Sequence, residues 1–276
     1  MLSNNFSKNF SRNLFKEFLM HTLRIFQSEW LKTRRSLASW LVIIGGLFTP
    51  VIIFLIRMRR PGELPSVYQS PHFWQTVWNQ SWESMAMFMF PMGIIMATGL
   101  ITQLEFKNNA WKQLHTTPQR LTTIYGMKLF IVLVMLTQVF IAFNVFMYLF
   151  SILPVALVSD VRYPTAQLDG LLFLRGNFSY FIDCLPIVGL QFLLGMHFKN
   201  FLVPFGLGFL LWIVSLTGMT WEYNYILPYS YSMQDFLVNT GRKIPVNADI
   251  HVFAAIYFVV FVAVGYGMYI GKNEKG

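Results

Sequence analysis

The chain has 276 residues, of which 55% are hydrophobic, 17% aromatic and only 12% charged. An average soluble domain carries about twice that charge, so the composition excludes a water-soluble enzyme or binding domain and indicates an integral membrane protein. Lys and Arg number 21 against 12 Asp and Glu, a formal charge of +9. In a membrane protein that excess belongs to topology and anionic headgroups, and no nucleic-acid partner is expected.

Residues 1–14, rich in Ser, Asn and basic residues, are expected to be a disordered tail. From 15 to 36 the pattern changes. Phe15, Phe18, Leu19, Leu23, Phe26 and Trp30 recur at helical spacing, with Lys16, Glu17, His21 and Arg24 opposite. A basic amphipathic helix beside a span lies in the membrane interface, aromatics in lipid and cations in water. The first 36 residues hold no short apolar run followed by a small-residue cleavage site, so no removable signal peptide is expected.

Residues 37–276 read as a six-span transmembrane domain. The first span, Leu37 to Ile56, at ~1.5 Å per residue covers the roughly 30 Å hydrocarbon thickness. Thr49-Pro50 predicts a kink in it, and Gly45-Gly46 allows close helix contact. Trp74, Trp78 and Trp82, four apart in the connection that follows, form an aromatic face suited to the interface. The second span is Ser84 to Thr102. Its methionines scatter around the helix without Cys or His among them, which reads as apolar filling and not a copper path.

Between the second and third spans lies Gln103 to Lys128, which mixes Glu105 with Lys107, Lys112, Arg120 and Lys128. Its first half predicts a short amphipathic helix with Leu104, Ala110, Trp111 and Leu114 on the apolar side. Pro118 cannot continue it, so it should stop near Thr116. A new helix should start after Thr122 or Thr123, either able to cap it. The pattern is that of a structured elbow.

The third span is Leu129 to Phe150. Thr137, Asn144 and Ser151 are seven apart with Gln138 beside them, and such polar groups either join helices or line a conduit. The fourth span, about Tyr180 to Met196, holds Asp183 and Gln191; Asp183 near its boundary either reaches water or pairs with a cation. Leu171 to Leu174, just before it, are apolar enough to dip into the membrane. The fifth span, Phe201 to Met219, follows a short turn at His197-Phe198-Lys199-Asn200. The sixth, Val252 to Ile270, carries Ala263, Gly267 and Gly271 as a ridge of small residues. Residues 220–251 are aromatic and Pro-broken and read as short helices folded over the outer mouth.

Fourteen of the 21 Lys and Arg fall in the N-terminal segment, the 103–128 elbow, the turn before the fifth span and the tail. The remaining seven lie in the three other connections. This bias places both termini inside, in agreement with an even number of spans. Arg57, Arg59 and Arg60 run locally against it and are read as headgroup ligands of the outer leaflet.

The chain lacks a GxxxxGK[ST] phosphate loop, an HExxH helix and a GxSxG elbow. His21, His72, His115, His197 and His251 are dispersed without metal-ligand spacing. Cys184 is the single cysteine, so neither an internal disulfide nor a cysteine metal centre is possible. Asp183 stands alone, whereas an ion-driven carrier buries more charge. No enzyme activity is expected, and an energy source outside the chain is the more economical reading.

The stretch SEWLKTRRSLASW entering the first span, Glu105 after the second, and TTPQRLTTIYGMKL entering the third resemble ABC exporter permeases of the type-two class. Within that class they are similar to the bacteriocin- and lantibiotic-immunity branch. The resemblance implies an all-α integral membrane protein of six transmembrane helices with an N-terminal amphipathic interfacial helix, in a bacterial cytoplasmic membrane. It also implies pairing with a second permease copy or paralogue above ABC ATPase subunits, which would bind ATP and Mg so that this chain needs no cofactor. Carried over by position, the ATPase-facing residues are Glu29, Lys32, Arg34, Glu105, Lys107, Asn108, Trp111, Lys112 and Arg120. Family members commonly carry a re-entrant helix pair before the last span, which 220–251 would supply. The exporter reading, with an amphipathic or lipid-like substrate such as an antimicrobial peptide, competes with two others. One is a membrane scaffold or sensor that binds a ligand through aromatic outer loops. The other is a lipid enzyme, which needs polar catalytic groups at one depth.

Overall fold

The first apolar helix, α1 (Leu37–Met58), begins where Ser36 caps it, the Ser36 hydroxyl accepting from the Ala38 N–H at 3.2 Å. It runs unbroken through Pro50, and the neighbouring Thr49 hydroxyl lies 3.0 Å from that of Ser84. The structure is a computed structural model that describes residues 26–27, 30–31, 33–34, 36–107, 121–245 and 248–273. The expected disordered tail and much of the expected interfacial helix lie outside the described residues. Of that helix, Phe26 stacks on Trp30 and meets the Phe130 ring edge-on.

After the short helix α2 (Leu64–Tyr68) the chain enters α3 (Phe73–Ser84), passes one π-helical turn at Met85–Met89 and continues as α4 (Phe90–Lys107). This rod begins 11 residues before the expected second span. The reason is the tryptophan row, which is buried and not laid on an interface. Trp74, Trp78 and Trp82 are 4%, 8% and 0% exposed. Trp82 stacks on Tyr180 with centroids 3.9 Å apart and meets Phe143 edge-on. Each such ring pair adds about 0.5–1.5 kcal/mol beyond its area.

The third long helix, α5 (Leu121–Leu157), has 37 residues. At ~1.5 Å per residue it far exceeds a bilayer core, so it projects beyond the expected span. Thr122 and Thr123 lie inside this helix and do not cap it; the Thr122 hydroxyl instead hydrogen-bonds that of Tyr266. α5 runs parallel to α1, with Gly46 against Ala142 and Phe54 against Phe150. A Cβ on Gly46 would lie 2.9 Å from Ala142 Cβ and 3.0 Å from the Phe143 backbone nitrogen, so hydrogen is the only side chain that fits.

Asp169 starts α6 (Gly170–His197), its Oδ1 accepting from the Leu171 and Leu172 N–H groups at 3.1 Å. Leu171 to Leu174 therefore form the first turn of this helix, which is one of the rods long and apolar enough to cross a membrane. A tight turn leads to α7 (Leu202–Thr217), an apolar helix of 16 residues, shorter than the five span-length rods. The last helix, α9 (Ile250–Asn273), packs along α6, its Gly265 seated against Leu193 and the Tyr125 hydroxyl. The ridge Ala263, Gly267 and Gly271 is exposed within this chain.

Between α7 and α9 the aromatic stretch folds into two 3-10 turns, Asn224–Ile226 and Pro228–Ser230, and helix α8 (Tyr231–Asn239). Every residue from Tyr231 to Leu237 is buried. Gly241, at φ 77°, stops α8 in the left-handed conformation while the Arg242 N–H returns to the Leu237 carbonyl at 2.9 Å. The Ser232 hydroxyl donates to the Ala86 carbonyl and the Trp212 indole N–H to the Met87 carbonyl, both at 3.0 Å. These two donors satisfy carbonyls in the π turn, and they draw α7 and α8 onto it.

Among the described residues there is no strand, and five helical rods are long and apolar enough to cross a membrane, while α7 is apolar but shorter. The protein is an all-α, multi-pass membrane protein. Rings and apolar side chains fill its centre, where α3, α5 and α6 meet around Trp82, Phe143 and Tyr180.

Candidate functional site

Three of the nine residues that the sequence assigns to force transmission lie among the described residues. Glu105 and Lys107 fall in the last turn of α4, and Arg34 lies exposed in a helical turn before α1. Glu29, Lys32, Asn108, Trp111, Lys112 and Arg120 lie outside the described residues. The end of α4, the start of α5, the end of α6 and the start of α1 share one end of the bundle, where Thr102 meets Gly195 and Tyr125 meets Phe192.

The polar residues of the spans divide. Thr137 is exposed and its hydroxyl bonds its own helix at the Leu133 carbonyl, 2.9 Å away, while Gln138 is half-buried. Asn144 reaches Asn177 on α6, and the two amides exchange hydrogen bonds of 2.7 and 3.0 Å. Ser151 is buried, and its carbonyl accepts from the Tyr68 hydroxyl. Gln191 is fully buried and its Nε2 donates to the Tyr229 hydroxyl at 2.7 Å. Gly208 faces that amide, which leaves no room for a Cβ.

Asp183 does not stand alone. It is 0% exposed in α6, and His251 Nδ1 at the start of α9 lies 2.9 Å from its Oδ1. His251 Nε2 lies 3.9 Å from Asp235 Oδ1 on α8, which also accepts from Asn239 Nδ2 at 3.0 Å. One imidazole thus stands between two carboxylates from two other helices. Asp249, at the exposed start of α9, caps the helix by accepting from the His251 and Val252 N–H groups at 3.0 and 3.3 Å. Burial pushes the Asp235 carboxyl above the usual carboxylate range, opposed by His251 and Asn239. Asp183 Oδ2 and Asp235 Oδ2 are buried without a hydrogen-bond partner.

A cavity of about 260 Å³ opens beside this cluster, lined by Asn224, Gln234, Asp235, Asp249, His251 and the apolar side chains between them. A second hollow, of about 500 Å³, lies over the Asn144–Asn177 pair with Trp74, Tyr148 and Leu174 on its walls. A third, narrow and apolar, separates α1 from α4, α5 and α6, with the unpartnered Thr98 hydroxyl in its wall. Among the described residues no three His, Cys, Asp or Glu side chains are arranged to hold a metal ion.

Sequence reasoning missed Asp235, His251, Asn177 and Tyr229. The spacing of Asp235 and Asn239, four apart, is the one local signal for a shared helix face. Nothing local joins Asp183 to residues 52 and 68 positions away.

The profile of the family described as ABC-2 family transporter protein matches residues 25–215. The match takes in α1 to all but the last two residues of α7, and it leaves α8 and α9 beyond its end. Searches of curated proteins and of solved structures each returned no match.

Proposed function

The chain belongs to the ABC-2 transporter family, and on that premise we propose that it is the permease of an ATP-driven exporter for an amphipathic substrate, such as an antimicrobial peptide or a lipid-like molecule. Family membership makes it a membrane permease subunit of an ABC transporter, and such a transporter includes an ABC ATPase. The single observation carrying the proposal is the match over residues 25–215, which embraces every helix from α1 nearly to the end of α7.

In this reading the exporter pairs this chain with a second permease copy or paralogue, and separate ATPase subunits hold ATP and Mg. The chain's lack of a phosphate loop supports that division of labour. Its bias of Lys and Arg toward the end bearing the α4–α5 connection supports a cytoplasmic placement of that end and of both termini, in a bacterial cytoplasmic membrane. The 103–128 elbow then meets the ATPase, with Glu105, Lys107, Asn108, Trp111, Lys112 and Arg120 as its contact residues and Glu29, Lys32 and Arg34 beside them. A short, charged, Trp-anchored helix suits the transfer of a rigid-body push when an ATPase pair closes. The immunity-permease branch remains the one whose motifs the elbow resembles, and membrane lipids surround the apolar outer faces of α1, α5 and α9.

Purification of the full chain from its native membranes in mild detergent tests this reading. The expected co-purifying partner carries a Walker-motif peptide identified by mass spectrometry. Reconstituted vesicles should then move a dansyl-labelled amphipathic peptide only with ATP. Binding of the peptide without ATP-dependent movement would replace the exporter with the scaffold or sensor reading.

A further inference from the structure

The cavity beside the Asp183–His251–Asp235 cluster is rich in acceptors and poor in donors. Asn224 Nδ2 spends its two N–H groups on the Met219 and Pro245 carbonyls, at 3.0 and 2.9 Å. Gln234 Nε2 spends both of its own on the Asn224 carbonyl and the Ser230 hydroxyl, at 3.2 and 2.9 Å. What these amides retain is acceptor capacity alone. Asp235, 8% exposed, lines the cavity with one oxygen on Asn239 and the other buried without a partner. Asp249 adds a carboxylate at the rim, with its Oδ1 committed to backbone N–H groups.

Charge tells the same story. Among the described residues His251 is the one basic side chain on the wall, and its Nδ1 is committed to Asp183. Even when protonated it brings one positive charge to Asp183, Asp235 and Asp249. A carboxylate held out of water without a full partner is costly, so the wall favours a ligand that brings donors and positive charge. A metal ion is a poor candidate, because among the described residues no trio of ligands converges. An ammonium group offers three donors and no acceptor. Val238, Ile244 and Ile250 supply an apolar wall for the carbon chain that carries it. The volume, about 260 Å³, exceeds what one water needs many times over.

We propose that this cavity binds a protonated primary amine borne on an apolar body, with Asp235 as the buried counter-ion and Asp249 as the outer one. This site lies in the part of the chain beyond the family match and goes further than the exporter reading. Binding at equilibrium requires no ATPase, so a failure here and a failure of the transport reading are distinguishable.

The test uses the full chain in nanodiscs of phosphatidylcholine, with dansylcadaverine as the amine and its N-acetyl derivative as the neutral analogue. Fluorescence titration should show saturable amine binding, with the acetylated probe at least about tenfold weaker, a difference of ~1.4 kcal/mol. Asp235→Asn should weaken amine binding by a similar factor and Asp249→Asn by a smaller one, while Glu83→Gln, outside the cavity, leaves it unchanged. Asn caps helices as well as Asp, so Asp249→Asn keeps α9 intact and decides the matter if Asp235→Asn does not fold. Equal binding of the two probes overturns the proposal. So does native affinity in Asp235→Asn or, should that variant not fold, in Asp249→Asn.

Discussion

His251 Nδ1 lies 2.9 Å from Asp183 Oδ1, joining the first turn of α9 to the fully buried middle of α6. The pair locks two helices that run side by side. Removing the imidazole leaves Asp183 buried without its partner, which for a fully buried pair costs about 3–5 kcal/mol. The histidine side chain is 36% exposed, so solvent softens the loss and about 2 kcal/mol is expected for His251→Ala. Thermal melting of the single and double variants with Asp183→Asn should show that the second change adds much less than it costs alone. Simple additivity would mean that the pair is not coupled.

Asp235 gives a dependence on pH. Burial, the largest influence, raises its carboxyl above the ordinary value, while His251 and Asn239 act in the opposite direction. A folded chain that holds this proton more tightly than the unfolded chain gains stability from it at acid pH. The gain is complete below the unfolded value and is lost as pH rises through the folded one. Asp235→Asn removes the titration. Its melting temperature relative to the native chain should therefore rise from acid to neutral pH. A difference that stays flat, or falls, would contradict the assignment.

The reciprocal amides of Asn144 and Asn177 are the joint between α5 and α6 in the apolar region. Asn144→Leu strands the Asn177 side chain, at an expected cost of about 1 kcal/mol, within the range measured for hydrogen bonds between membrane helices. Replacing both by Leu should recover much of that loss, because no polar group is left unpaired. Melting curves of the three variants in one detergent check this.

Gly46 and Gly45 should behave as opposites despite being adjacent. A side chain at Gly46 meets Ala142 and the backbone of α5, which cannot rotate away, whereas nothing lies within 4 Å of a Cβ at Gly45. Gly46→Val should cost on the order of 1–3 kcal/mol by forcing α1 from α5. Gly45→Ala should stay within ~0.5 kcal/mol of the native chain. Cross-linking of Cys pairs at Phe54 and Phe150 would report the separation directly.

Apolar runs long enough to span a bilayer are legible in the sequence because lipid imposes length and composition together. For that reason α1, α6 and α9 start or end close to the expected residues. Helix extensions were less legible. The tryptophans of α3 have the spacing of an interface belt, yet the same spacing serves a buried ring ladder, and only Tyr180, Phe143 and Phe173 from distant segments distinguish them. The Thr122 hydroxyl looked like a cap because its partner, Tyr266, is 144 positions away. The Asp183–His251–Asp235 cluster was invisible for the same reason. Each residue is ordinary in its own neighbourhood, and only the burial of α8 against α6 and α9 brings them together.

The proposed exporter requires an α4–α5 connection that meets the ATPase on the cytoplasmic side. The native chain suits a labelling test, because its single cysteine, Cys184, is fully buried. Lys112→Cys should resist a membrane-impermeant maleimide in intact cells and react with it in inverted vesicles. In those vesicles a bismaleimide should join the same position to the ATPase subunit. Labelling of Lys112→Cys from the outside of intact cells would contradict the account.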